Sequence, residues 1–163
     1  MKIKSYATSD IGMVRTENED SFLADLKNNL FIVADGMGGA QGGAYASKLA
    51  IDVCHKSIEE KWHDFKDSSN TSKLTFLEDT VKEANDSIFT KAQTTAKLSG
   101  MGTTLTLFKL EKSLSYIIHI GDSRLYQLRE NSLSQITHDH TLPSEQLRLG
   151  QITKEEFNSH TLH

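Results

Sequence analysis

Four carboxylates lie at or near the ends of segments that read as strands: Glu19, Asp20, Asp35 and Asp122. Hard divalent cations such as Mg²⁺ and Mn²⁺ take carboxylate, carbonyl and water oxygens and keep part of their water shell. An aspartate at a strand end is also an ordinary turn or cap residue, so Asp35 alone decides nothing. Its neighbours add more. Gly36, Gly38, Gly39, Gly42 and Gly43 fall within eight residues, directly after the apolar run Leu30-Phe31-Ile32-Val33-Ala34. Glycine at that density marks backbone that takes positive φ or comes close to another group. Beside an aspartate, it points to a site where main-chain oxygen also meets a ligand. No Gly-Lys-Ser/Thr follows, which excludes a Walker phosphate loop. The third position of a dinucleotide fingerprint falls on Gln41, and the surroundings are not βαβ.

Arg15 stands just upstream of the acidic run Glu17-Asn18-Glu19-Asp20. An exposed pair of this kind contributes little to stability, but a planar, permanently charged guanidinium beside a metal cluster is a suitable clamp for phosphate. The chain carries a formal charge of −4 and a pI near 6.0. That balance offers no basic footprint for nucleic acid. A negative protein that handles phosphate has to neutralise it locally, with arginine, backbone N–H groups or metal ions.

The elements that must position these groups follow from periodicity. Phe22 to Leu26 alternates, Lys27-Asn28-Asn29 is a turn signal, and Leu30 to Ala34 is a continuous apolar strand, so a hairpin ending at Asp35 is expected. Ala46, Leu49, Ala50, Val53, Ser57 and Ile58 recur at helical spacing between Ala44 and Trp62. A second helix is expected over Lys73 to Lys97, with Leu74, Leu77, Val81, Ala84, Ile88 and Ala92 as its stripe. The polar segment Asp67 to Ser72 supplies N-cap candidates. Both stripes read as core faces. Strands are expected over Thr103–Leu110, Leu114–Ile120, Arg124–Leu128 and Leu133–Thr137, with two short helices after Pro143 separated by Gly150. The order implies an α+β fold with helices laid against antiparallel sheet.

At 163 residues the chain fits a single domain with a sizeable core. Its one cysteine, Cys54, excludes an internal disulfide and sits in an apolar-periodic segment, where a buried structural thiol is expected. The N-terminal Met1-Lys2-Ile3-Lys4-Ser5 lacks the apolar run of a signal peptide, and no stretch approaches a membrane span. The expectation is a soluble cytoplasmic protein with no membrane or nucleic-acid partner.

Five motifs then occur in order: Arg15-Thr16-Glu17-Asn18-Glu19-Asp20, Ala34-Asp35-Gly36-Met37-Gly38-Gly39, Gly100-Met101-Gly102-Thr103-Thr104, Gly121-Asp122-Ser123-Arg124-Leu125-Tyr126 and Thr137-His138-Asp139-His140-Thr141. With the helix pair between them, they resemble the bacterial branch of the metal-dependent PPM (PP2C-type) protein Ser/Thr phosphatases, from about Ser5 to His160. The resemblance implies a PPM-type β-sandwich flanked by antiparallel helices, with two Mg²⁺ or Mn²⁺ ions and a third, weaker site. Asp35 matches the aspartate that bridges the two metals, and Gly36 the residue whose carbonyl joins one of them. Glu19 matches an acidic residue of the second metal's shell, and Asp20 its water-orienting neighbour. Arg15 matches the phosphate-holding arginine, and Asp122 the aspartate of the third site. Thr103 and Thr104 match a strand start that reads as structural. The implied reaction is hydrolysis of phosphoserine or phosphothreonine in proteins by a metal-activated water, without a phosphoenzyme, opposing a Ser/Thr kinase.

Two departures accompany the resemblance. Many bacterial relatives carry His after Asp-Gly-Met-Gly-Gly, where this chain has Ala40, and His138 and His140 belong to a segment that is mainly structural in the family. The family's later Asp-Gly and Asp-Asn motifs, which complete the first metal shell, do not occur before His163. The chain is therefore expected to be the N-terminal portion of such a domain. Exposed sheet edges and apolar faces should follow, with weak metal binding and impaired turnover. The alternative is a catalytically inactive module that binds phosphopeptide or metal.

Overall fold

The computed structural model describes residues 2–38 and 42–159; Gly39, Ala40 and Gln41 lie outside the described residues, and the His-to-Ala40 departure with them. The hairpin forms as the alternation implies. β1 (Asp20–Asp25) and β2 (Leu30–Met37) pair antiparallel, and the Asp25 carboxylate closes the turn by accepting the N–H groups of Lys27 and Asn28 at 2.9 and 3.1 Å. One expectation needs correction. β2 does not end at Asp35 but runs on to Met37, because the Gly36 N–H donates to the Glu19 carbonyl at 3.1 Å and Gly36 pairs with Thr103 on its other side. Asp35 therefore stands inside the ladder, opposite Asp20.

Burial alternates strictly along β2. Leu30, Ile32, Ala34 and Gly36 are buried, while Val33, Asp35 and Met37 point to the exposed face. On the buried side lie α1 (Gly42–Lys61) and α2 (Asn70–Thr94), joined through a 3-10 turn at Trp62–Phe65. α2 begins three residues before Lys73, because the Ser69 hydroxyl caps it by accepting the Ser72 N–H at 3.1 Å. Ile51 and Cys54 join Ala46, Ala50 and Ile58 in the buried face of α1, whereas Leu49 and Val53 are only half-buried. In α2, Leu77, Val81 and Ala84 enter the core and Leu74 is exposed. Each fully buried side chain such as Leu30, Ile58 or Leu77 contributes about 1.5–3 kcal/mol. Cys54 is fully enclosed, and burial pushes its thiol up to about 12, so it is inert packing.

The expected strand over 103–110 is broken at Thr104. β3 (Gly102–Thr103) pairs with the end of β2, and β4 (Leu105–Glu111) pairs with its middle. β5 (Leu114–Ile120) follows as the sequence predicts, completing the order β1-β2-β4-β5 with β3 on β2. Tyr116 of β5 packs edge-on against Trp62 with centroids 5.5 Å apart, and the Lys109 ammonium lies 4.8 Å from the Trp62 ring centre. Beyond β5, β6 (Tyr126–Arg129) and β7 (Ser132–Gln135) form a separate hairpin, shorter than expected at both outer ends. α3 (Leu142–Arg148) and α4 (Lys154–Ser159) are the two short tail helices, capped by Thr141 and Thr153.

The architecture is α+β, with helices on one face of antiparallel sheet. Among the described residues only the β6–β7 hairpin stands apart from the main sheet, so the sandwich is incomplete. Phe22 and Val33 remain 45% and 46% exposed on the outer face. Part of that face lines an open cleft of about 300 Å³, bordered by Tyr6, Phe31, Phe108 and Tyr126.

Candidate metal and phosphate site

The hairpin register brings the first carboxylates together. Asp20 and Asp35 are directly paired across β1 and β2. Partial burial first, then the carboxylates of Asp20 and Asp122, push the Asp35 carboxyl above its ordinary value, while Arg15 pulls the other way. The structure thus gathers Asp20, Asp35, Asp122 and Arg15 into one electrostatic neighbourhood, although Asp122 is 87 residues from Asp35 in the chain.

The Glu19 carboxylate lies against Gly43. Its Oε2 accepts an N–H of Arg15 at 2.8 Å, with the arginine side chain 71% exposed and the glutamate side chain 14%. Its Oε1 is buried without a hydrogen-bond partner, the single such side-chain oxygen found among the described residues. This close fit depends on glycine. A Cβ on Gly36 would run into the Gly43 carbonyl, and a Cβ on Gly43 into Glu19 Oε1. The buried Ser47 hydroxyl donates to the Glu19 carbonyl at 2.6 Å and lies 2.9 Å from Ser21 Oγ, fixing the backbone that carries the carboxylate.

An unpaired buried carboxylate oxygen carries a desolvation cost of about 1–3 kcal/mol or more. A divalent cation would satisfy it, and a cation among Asp20, Asp35 and Asp122 would relieve their crowding. The donor set, all hard oxygen, fits Mg²⁺ or Mn²⁺. It does not make a finished cage: among the described residues no three His, Cys, Asp or Glu side chains converge closely enough to hold a metal by themselves. Waters, main-chain carbonyls such as that of Gly36, or further ligands are needed.

The sequence marks Thr104 and His140 as structural but does not reveal the bonds by which they hold the Asp122 loop. The Thr104 hydroxyl lies 2.8 Å from Ser123 Oγ. The His140 N–H donates to the Gly121 carbonyl at 2.8 Å, and His140 Nδ1 accepts the Gly121 N–H at 3.3 Å. His119 is a second such group. Its Nδ1 lies 2.9 Å from Thr106 Oγ1 and its Nε2 lies 3.1 Å from the His138 carbonyl, so the neutral Nε2–H tautomer satisfies both ends. Burial first, then the nearby His140 ring, lowers its pKa. His138 and His140 thus support the loop, in keeping with the structural role expected for their segment. Arg124, within the fourth motif, is bound through Nε and Nη2 to the Asp139 carboxylate of the fifth, at 2.9 Å and 2.5 Å to Oδ2.

The profile of the protein phosphatase 2C family matches residues 14–161. The chain belongs to that family. Among curated members it is 37% identical over 156 residues to the serine/threonine phosphatase stp of Listeria welshimeri, covering 93% of this chain and 60% of the relative. It is 39% identical over 155 residues to the serine/threonine protein phosphatase PstP of Mycobacterium tuberculosis, covering 94% of this chain and 28% of that one. The crystal structure of the M. tuberculosis phosphatase superposes with a TM-score of 0.76 at 38% identity, covering 95% of this chain and 62% of that one. The PstP catalytic domain has also been solved in complex with two manganese ions, with a TM-score of 0.76 and coverage of 91% and 61%. A serine/threonine phosphatase of S. agalactiae superposes with a TM-score of 0.79 at 29% identity, covering 94% and 62%. The family fold is therefore present, and the chain spans about 60% of the length of the stp relative it matches.

Proposed function

We propose that this chain carries the N-terminal portion of one phosphatase domain whose reaction is metal-dependent hydrolysis of phosphoserine and phosphothreonine in proteins. The observation that carries the reading is Glu19 Oε1, buried and unpaired against Gly43, on the residue that precedes the Asp20–Asp35 pair in β1. Family relatives named serine/threonine phosphatases, and the manganese complex of one of them, support it. Glu19, Asp20, Asp35, the Gly36 carbonyl and Asp122 would hold Mg²⁺ or Mn²⁺, two ions with a third, weaker one at Asp122. Bound there, the ions would supply Lewis acidity, lowering the pKa of water and neutralising phosphate oxygens.

The chain's own residues do the rest. Arg15 is anchored by one N–H on Glu19 and keeps most of its side chain in solvent, where it can meet the phosphate of a substrate. Asp20 and Asp35 concentrate negative charge where a cation is wanted and repel a phosphate that arrives without one. Phosphate recognition therefore depends on the ions. No helix among the described residues is long and apolar enough to cross a membrane. We place the protein in the cytoplasm, acting on phosphoproteins made by a Ser/Thr kinase, with no nucleic-acid or membrane partner.

A second reading rests on the incomplete cage: a catalytically inactive module that binds phosphopeptide or metal. Hydrolysis of p-nitrophenyl phosphate and of a phosphothreonine peptide with Mn²⁺ separates the two. Turnover that is abolished by EDTA and by Asp35→Ala supports the enzyme. Absence of turnover, with phosphopeptide retained by the wild type and lost in Arg15→Ala, supports the module.

A further inference from the structure

Thr104 occupies the one-residue break between β3 and β4, where it is released from ladder pairing and free to bond elsewhere. It takes up both backbone groups of Asp35. The Asp35 N–H donates to Thr104 Oγ1 at 2.9 Å, and the Thr104 N–H donates to the Asp35 carbonyl at 2.9 Å. A hydroxyl that accepts one bond still has its proton to give, and Thr104 Oγ1 lies 2.8 Å from Ser123 Oγ, next to Asp122. Gly121, at φ +103°, lets the loop approach this closely, since a Cβ there would come within 2.6 Å of Thr104 Cγ2.

We propose that Thr104 is a positioning residue: through its hydroxyl it ties the backbone of Asp35 to the loop that carries Asp122, and so sets the spacing of these two carboxylates. The proposal rests on the metal-site reading above for its consequence, but the tie itself is a property of this chain. Outer partners of metal ligands commonly change affinity by about 10–100-fold when removed. Thr104 and Ser123 act through one hydrogen bond, so their losses should not add.

The test is Mn²⁺ uptake, followed by loss of the free-ion EPR signal. The proteins compared are the wild type, Thr104→Val, Thr104→Ser, Ser123→Ala and the Thr104→Val/Ser123→Ala double variant, together with amide exchange at Asp35 in the metal-free proteins. We expect Thr104→Val and Ser123→Ala each to weaken Mn²⁺ binding about tenfold, the double variant to match Thr104→Val, and Thr104→Ser to keep wild-type affinity. The Asp35 amide should exchange faster in Thr104→Val but not in Thr104→Ser. Wild-type affinity in Thr104→Val or in Ser123→Ala, additive losses in the double variant, or a Thr104→Ser variant as impaired as Thr104→Val would overturn the inference. Should Thr104→Val not fold, Ser123→Ala and Thr104→Ser still decide it. If the wild type takes up no Mn²⁺, the metal reading falls instead. The Asp35 exchange rates then decide the tie: unchanged protection in Thr104→Val overturns it and faster exchange supports it.

Discussion

Asp35 holds a proton more tightly in the folded protein than in the unfolded chain, chiefly through partial burial and then through Asp20 and Asp122. Linkage gives the sign. As pH rises from the ordinary value of 3.8 through the raised one, the folded state binds more protons than the unfolded state, so stability falls. At neutral pH the ionised Asp35 carboxylate is therefore destabilising in the metal-free protein. We expect Asp35→Asn in EDTA to melt higher than the wild type at neutral pH, with the gap closing as pH drops toward 3.8. Mn²⁺ should raise the melting temperature of the wild type but not of the variant. Calorimetry across that range checks it, and a variant that melts lower at neutral pH would contradict it. Gly43 makes a second case. Alanine in a helix is ordinarily better than glycine by about 1 kcal/mol, but here the methyl would press on Glu19 Oε1 and lie 2.8 Å from the Gly36 carbonyl carbon. Overpacking of about 1–3 kcal/mol should win, so Gly43→Ala should show a lower urea midpoint and weaker Mn²⁺ uptake. The carboxylates and Arg15 were legible in the sequence because their types and glycine neighbours are unusual together. The partners of Thr104, Ser123 and His140 were not, because a hydroxyl or imidazole that bonds 19 residues away leaves no local pattern.

Elements whose burial is periodic were readable from the sequence. The two long helices and β5 appear within a few residues of where apolar spacing places them. The extension of β2 through Asp35 and Gly36, and the break at Thr104, were not readable. Both are decided by partners on other strands rather than by the propensity of the residues concerned. The β6–β7 hairpin, fully exposed and short, is held to the fifth motif by side chains. Arg124 binds Asp139, and the Gln135 amide donates to Asp139 Oδ1 at 3.1 Å. The Arg124 guanidinium, followed by Gln135, holds the Asp139 carboxyl below its ordinary value against partial burial. Its contribution is complete above 3.8 and is lost as pH falls through the depressed value. Asp139→Asn should therefore lower the urea midpoint at neutral pH and converge on the wild type in acid. Parallel urea titrations at several pH values check this, and a gap that persists below the depressed value would contradict it.

For the molecule as a whole, the uncovered outer face is the main liability. Phe22 and Val33 present apolar surface beside the cleft lined by Phe31 and Phe108. We expect light scattering of this chain to rise with concentration, and Val33→Thr to reduce that rise while leaving Mn²⁺ uptake unchanged. Equal scattering by both proteins would place the sticky surface elsewhere. Trp62 has a different consequence. It is the chain's single tryptophan, set against Tyr116 and Lys109 immediately after the last residue of α1. It stands 19 positions after Gly43 (62 − 43) along that helix, an axial rise of about 28 Å. Its emission is thus an optical gauge of the core, stationed far from where ions would arrive. Unfolding should redden it in full, while a manganese titration should leave it flat. Any change in colour on adding the ion would mean that α1 carries the binding event from one end of the protein to the other.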